Sequence, residues 1–193
     1  MAPTEQPTFY YDLSSPEAYL TAERSASVLG TVPEWVPVRL SGLRAGEVGP
    51  FRCAAEVDAY REDLARRARR YGIQPLRWPD PFPPDAEWAM LVATYAKQIG
   101  RAVAFSLAAF RQAYAGGRDL GHPDTVMLAA AACEMHPAAI EKGADRDSIR
   151  RRLDEATDAA GAAGVLEVPA VRIGDRVFHG DRELEAAAGA LAA

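Results

Sequence analysis

Three short turns in this sequence carry residues whose type and spacing could do chemistry. The first is Asp12-Leu13-Ser14-Ser15-Pro16-Glu17-Ala18-Tyr19. Ser15 precedes a proline suited to the first position of a helix, so it reads as the N-cap, its hydroxyl accepting a backbone N–H. A helix start also favours an anion, because its first N–H groups lack intrahelical partners and its dipole is positive there. A thiolate bound at that point would be stabilised by both effects, with the Ser15 hydroxyl as a donor. On local spacing alone, plain capping is the commoner role of such a serine.

The second turn is Gly164-Val165-Leu166-Glu167-Val168-Pro169-Ala170. A proline directly before a buried strand is unusual for an interior position. A trans proline opening an edge strand is the commoner arrangement. A cis peptide would instead turn the Val168 backbone outward, its N–H and C=O open to an extended ligand. The third turn, Phe178-His179-Gly180-Asp181-Arg182-Glu183-Leu184, opens the last helix. Asp181 reads either as a simple cap or as an acceptor for a ligand ammonium, beside a helix start that takes a carboxylate. A γ-glutamyl end carries both groups. His179 reads as a surface or packing residue.

The elements that position these turns fall at the two ends of the chain. Thr8 to Tyr11 is β-branched and aromatic and predicts a strand; a helix follows from Pro16 to about Leu29, ended by Gly30, and Trp35 to Leu40 predicts a second strand. After Gly42 the pattern becomes helical. Ala54 to Arg70 fits an amphipathic helix with Val57, Tyr60, Leu64 and Ala68 on one face. Its Arg66, Arg67, Arg69 and Arg70 read as a solvated face rather than a phosphate site. Prolines 75, 79, 81, 83 and 84 exclude regular structure between them. Helices are predicted over 85–115, with a break at Gly100, over 123–134, and briefly from Pro137. A further helix covers 145–163. Ala170 to Ile173 and Arg176 to Phe178 then form a hairpin about Gly174-Asp175, and an alanine-rich helix closes the chain.

The order is β-α-β, helical insert, α-β-β-α. This is an α/β chain with a thioredoxin-like fold interrupted by an all-helical insertion. The expected division is a discontinuous sheet domain, 1–48 with 145–193, and a helical domain, 49–144. The βαβ unit should be parallel and right-handed, and the hairpin antiparallel.

Composition bounds the partners. The 193 residues are 49% hydrophobic and 25% charged, a globular balance. A net charge of −5 argues against a nucleic-acid partner, which needs a basic face. No stretch approaches the roughly 20 apolar residues of a membrane span, and Met1 to Asp12 lacks a signal-peptide pattern. A cytoplasmic protein without a membrane partner is expected. Cys53 and Cys133 suggest neither a disulfide framework nor a zinc site and read as small buried hydrophobes. His122, His136 and His179 lack metal-ligand spacing, so no metal is expected.

Together, Asp12-x-x-Ser15-Pro16, Gly164-Val165-x-x-Val168-Pro169 and Phe178-x-Gly180-Asp181 resemble the DsbA-like thioredoxin superfamily, in particular the 2-hydroxychromene-2-carboxylate isomerases and kappa-class glutathione transferases. Tyr60-Arg61-x-Asp63-Leu64-x-Arg66, Gly72-Ile73 and Phe82-Pro83 are similar to that family's helical insert, so the resemblance covers nearly the whole chain. It implies that Ser15 is the active-site serine bonding the sulfur of glutathione, or of another low-molecular-weight thiol. It implies that Pro169 is cis and faces Ser15, and that Val168 pairs with the cysteinyl part of the ligand. Asp181 would lie near the γ-glutamyl end, and Arg44 roughly matches a basic position.

Redox relatives carry Cys-Pro-x-Cys where this chain has Ser15-Pro16-Glu17-Ala18, so disulfide exchange is not expected. Two departures stand out. Gly46 to Phe51 lacks an asparagine usual there, and Glu17 replaces an aromatic residue. The implied activity is glutathione-dependent cis-trans isomerisation of a small aromatic ring-opened substrate. The alternatives are a kappa-like transferase and a thioredoxin-fold binding module without catalysis. Homodimerisation is implied by analogy.

Overall fold

The computed structural model describes residues 6–43, 51 and 53–192. Thr8–Tyr11 forms β1, and all four residues are buried. It lies inside a four-stranded sheet of order β2-β1-β3-β4, with β2 at Glu34–Pro37, β3 at Ala170–Ile173 and β4 at Arg176–His179. β1 and β2 are parallel, with Phe9 opposite Trp35. β3 runs antiparallel to β1, placing Phe9 opposite Val171, and β3 and β4 form the hairpin. The chain ends thus share one sheet, as the order of elements predicts.

α1 spans Pro16–Leu29 and is closed by Gly30 at φ 68°, a left-handed conformation glycine adopts without penalty. β2 is shorter than expected. Its chain turns into a four-residue helix, α2 (Leu40–Leu43), because Asp12 Oδ2 accepts the Leu40 N–H at 2.9 Å. α3 covers Ala54–Arg70 as predicted, with Leu64 and Ala68 as its buried residues. The proline-rich stretch is irregular. The break near Gly100, at φ 74°, separates α4 (Glu87–Gln98) from α5 (Ala102–Tyr114). α6 (Pro123–Ala131) ends earlier than expected: Cys133 and Met135 both donate to Ala130 O, and Glu134 turns left-handed at φ 57°. α7 (Pro137–Ala144), α8 (Asp147–Ala162) and α9 (Leu184–Leu191) follow.

The period-two alternation of β1 divides two apolar layers. Phe9 and Tyr11 enter a large core with Trp35, Val171, Leu91, Phe105, Phe110 and Tyr114. Tyr10 enters a smaller one on the other face, with Val38, Ala160, Val165 and Ala170. The large core is continuous between sheet and inserted helices, so the inserted segment is bound to the sheet by apolar burial rather than tethered by its ends. Edge-to-face packing of Phe9 on Trp35, centroids 4.9 Å apart, and the buried Tyr11–Ser106 hydroxyl pair at 2.6 Å cross the same boundary. Among the described residues, no helix is long and apolar enough to cross a membrane.

Two expectations are corrected here. Cys53 is exposed, whereas Cys133 is buried and both are free; Cys53 stands at the start of α3, outside the helix face that packs inward. Arg67 is not part of a solvated face. Its side chain is only 12% exposed, because three carboxylates surround it.

Candidate functional site

The turn between β1 and α1 is built by its own side chains. Asp12 Oδ1 accepts both the N–H and the hydroxyl of Ser14, at 2.9 and 2.8 Å, while Oδ2 holds the start of α2. From the inserted helices, the Tyr114 hydroxyl donates to Ser14 O at 2.5 Å. Ser15 is therefore fixed from three directions. It has the extended backbone of an N-cap, and its Oγ accepts the Ala18 N–H at 3.1 Å. No other described hydrogen bond uses this hydroxyl. The cap occupies a lone pair of Oγ, and the hydroxyl proton is free to be given elsewhere. Capping and donation are compatible in one side chain.

Ser15 is 5% exposed, yet it lines a cavity of about 530 Å³. Val168, Pro169 and Gly180 line the same space, so all three sequence turns converge there. The Val168–Pro169 peptide is cis. Val168 lies outside the β3 ladder, and among the described residues its backbone joins none of the turn and loop hydrogen bonds, whereas Pro169 O accepts the Gly180 N–H at 2.8 Å. His179 has a structural part that its sequence context did not suggest: its Nε2 accepts the Leu166 N–H at 3.1 Å and ties the Val168 loop to β4.

The opposite wall is aromatic. Phe51, Tyr60 and Phe82 line the cavity, with Phe51 5.1 Å from Tyr60 and 6.0 Å from Phe82 between centroids. Trp78 packs behind Phe82, and the Arg61 guanidinium lies 4.9 Å from the Phe82 centroid. Of these residues, Tyr60 had a periodicity signal, its place on the apolar face of α3, while Arg61 and Phe82 were marked only by the family resemblance. That face serves two purposes: Leu64 and Ala68 enter the core, and Tyr60 meets the cavity.

Asp181 lines not this cavity but a space next to it, shared with Glu17, Tyr60 and Gly180, and it does not cap the last helix. Gly180 starts a short 3-10 turn over Asp181–Glu183, and no side chain caps it. Asp181 is 1% exposed and its carboxylate bonds Arg67, while among the described residues Oδ2 accepts no hydrogen bond. Arg67 also meets Asp63 at 2.9 Å and Glu17 at 3.4 Å. Tyr60 lies beside Glu17, and burial, opposed by Arg67 and Tyr60, raises the Glu17 pKa. Burial, with Glu17 beside it, likewise holds the Tyr60 hydroxyl well above its usual range. Glu17, Tyr60, Arg67 and Asp181 thus form one network along the cavity rim. Sequence spacing could not reveal it, because its members come from α1, α3 and the last turn. Arg44 and Gly46 to Pro50 lie outside the described residues. Among those described, no cluster of His, Cys, Asp and Glu could hold a metal ion.

The mixed sheet, the helical insertion and the cis-proline loop beside the first helix define a thioredoxin-fold protein. The family model of the DSBA-like thioredoxin domain matches residues 8–192, and the chain belongs to that family. Among solved structures it is similar to a 2-hydroxychromene-2-carboxylate isomerase, with 26% identity and a TM-score of 0.84 over 96% of this chain and 95% of that one. A candidate DsbA oxidoreductase from Streptomyces coelicolor shares 18% identity at a TM-score of 0.78, over 96% and 88% of the two chains. A candidate protein disulfide isomerase from Nitrosomonas europaea shares 16% at 0.66, over 95% and 97%. The last two likenesses establish the fold alone. No curated protein matches the sequence.

Proposed function

We propose that this chain is a thiol-dependent cis-trans isomerase of the 2-hydroxychromene-2-carboxylate type, using glutathione or another low-molecular-weight thiol. The observation that carries the reading is the Ser15 hydroxyl at the wall of the cavity, whose proton no bond among the described residues uses. The residues present fit such a thiol at its sulfur end. Pro16 has no N–H, Ala18 donates to Ser15 Oγ and Tyr19 to Ser15 O, so the Glu17 N–H is the first-turn donor left to face an anion. The Val168 backbone is open to an extended peptide, which suits the cysteinyl part of glutathione.

When bound, the thiol supplies a nucleophile that adds reversibly to a conjugated double bond and so permits its rotation. Ser15 and the start of α1 favour the ionised sulfur by donation and dipole. Phe51, Tyr60 and Phe82 offer flat apolar surface to an aromatic substrate and exclude water from it. The carboxylates of Asp12, Glu17 and Glu167 also line the cavity and work against a thiolate. Asp12 is engaged by Ser14 and Leu40, and Glu17 by Arg67, which offsets part of that field. The expected ammonium acceptor, Asp181, is already held by Arg67, so the reading assigns it to keeping Arg67 in place.

The test is incubation with a conjugated, ring-opened aromatic keto acid, with and without glutathione, followed by chromatography. Isomerised product free of sulfur, formed only with thiol, supports the proposal. A sulfur conjugate as product points to transferase chemistry, and an unchanged substrate refutes both.

A further inference from the structure

Glu17 projects from the first turn of α1, two residues after Ser15, and lines the cavity that Ser15 lines. Its side chain is 30% exposed. The groups facing it are Tyr60, Asp63 and Arg67 from α3, Asp181 with His179, Arg182 and Glu183 from the β4 end, and, across the shared cavity, Asp12 after β1 and Glu167 before β3. Among the described residues, the cation paired with Glu17 is already matched. Arg67 bonds the buried Asp181 and is shared with Asp63, which Arg66 and Arg182 also reach at 3.0 Å each. Counting Glu17, Arg67 and Asp181 alone, the charge is −1, so one proton arriving on Glu17 makes this group neutral. Tyr60 lines the same space as the carboxylate.

We infer that Glu17 accepts the proton of the bound thiol and returns it later in the cycle, an assignment that rests on the thiol-dependent reading above. The S–H bond breaks and a Glu17 O–H bond forms; the sulfur keeps the electron pair and accepts the Ser15 hydroxyl hydrogen bond. Addition of sulfur to the conjugated system leaves negative charge on the substrate's carbonyl oxygen, and the Glu17 proton transfers there. Reversal of both steps after rotation restores thiol and carboxylate, so no external acid, base or redox partner is consumed. The two environments act in opposite directions, which brings donor and acceptor toward the same range. Helix start and Ser15 favour the ionised thiol, while burial favours the protonated carboxyl.

The test counts protons when glutathione binds near neutral pH, by calorimetry in buffers of different ionisation enthalpy, with ultraviolet thiolate absorbance followed in parallel. A free thiol of pKa about 8.5 is mostly protonated there, so binding as thiolate sheds about one proton to solvent unless the protein captures it. Wild type should show thiolate absorbance with close to zero protons released, and Glu17→Gln should show the absorbance with about one. If the variant folds poorly, a wild-type count of about one proton released still overturns the role of Glu17. Thiolate absorbance with about one proton released by both proteins would overturn the role of Glu17 and leave the thiol reading intact. No thiolate absorbance in either would overturn both.

Discussion

Replacing Ser15 by alanine separates two roles carried by one oxygen. As a cap, Oγ accepts the Ala18 N–H at 3.1 Å inside a residue only 5% exposed. Losing that bond should cost about 1 kcal/mol, a fall in Tm of roughly 3 °C for a chain of this size. As a donor to bound thiolate, the same hydroxyl makes a charge-assisted bond of about 1.5–3 kcal/mol. Divided by 1.36 kcal/mol per unit, this corresponds to about one to two pKa units. The bond favours the ionised sulfur, so its removal moves the thiol pKa upward. The assay is thiolate absorbance of the glutathione complex against pH, for wild type and Ser15→Ala, with binding measured separately. A curve displaced upward by a unit or more supports the donor role. Superimposable curves with equal binding would mean that Ser15 only caps α1 and that the catalytic assignment is wrong.

Other outcomes follow from the same contacts. Arg67→Leu should destabilise the fold by about 3 kcal/mol or more at neutral pH, because Asp181 is left buried and unpaired. Glu17, already raised by burial, loses the cation that opposes the rise, so its share of the deficit is full above its folded value and shrinks as pH falls through it. Urea denaturation at two pH values checks this, and adding Asp181→Asn should recover part of the loss. Tyr114→Phe removes the donor to Ser14 O and should cost about 1–2 kcal/mol, with weaker thiol binding because the Ser15 turn loses its brace. With Ser15 and Ala18 at the helix start, the protein should not catalyse insulin reduction. Turnover above background that survives replacement of Cys53 and Cys133 would contradict this.

Much of the fold is legible in local chemistry. Proline and glycine mark where helices start and stop, which is why α1, α3 and the α4–α5 break fall where the sequence puts them. The same signals placed Ser15, Pro169 and Gly180 on turns, because caps and pre-strand prolines act within a few residues. The end of β2 was less legible, since it is set by Asp12 reaching Leu40, a contact 28 residues apart in sequence.

Side-chain surroundings lie beyond local signals altogether. Sequence alone determined the order of elements, the three turns and the absence of a thiol pair beside Pro16, since each depends on backbone preferences or residue identity. Tertiary structure alone decided that Arg67 is enclosed rather than solvated, that Asp181 pairs with it rather than capping a helix, and that Cys53 is exposed. It also decided that Phe51, Tyr60 and Phe82 face Ser15 across one cavity. The physical reason is that burial and Coulomb partners depend on which distant segments pack together, and α1, α3 and the β4 turn meet only when the sheet closes around both ends of the chain.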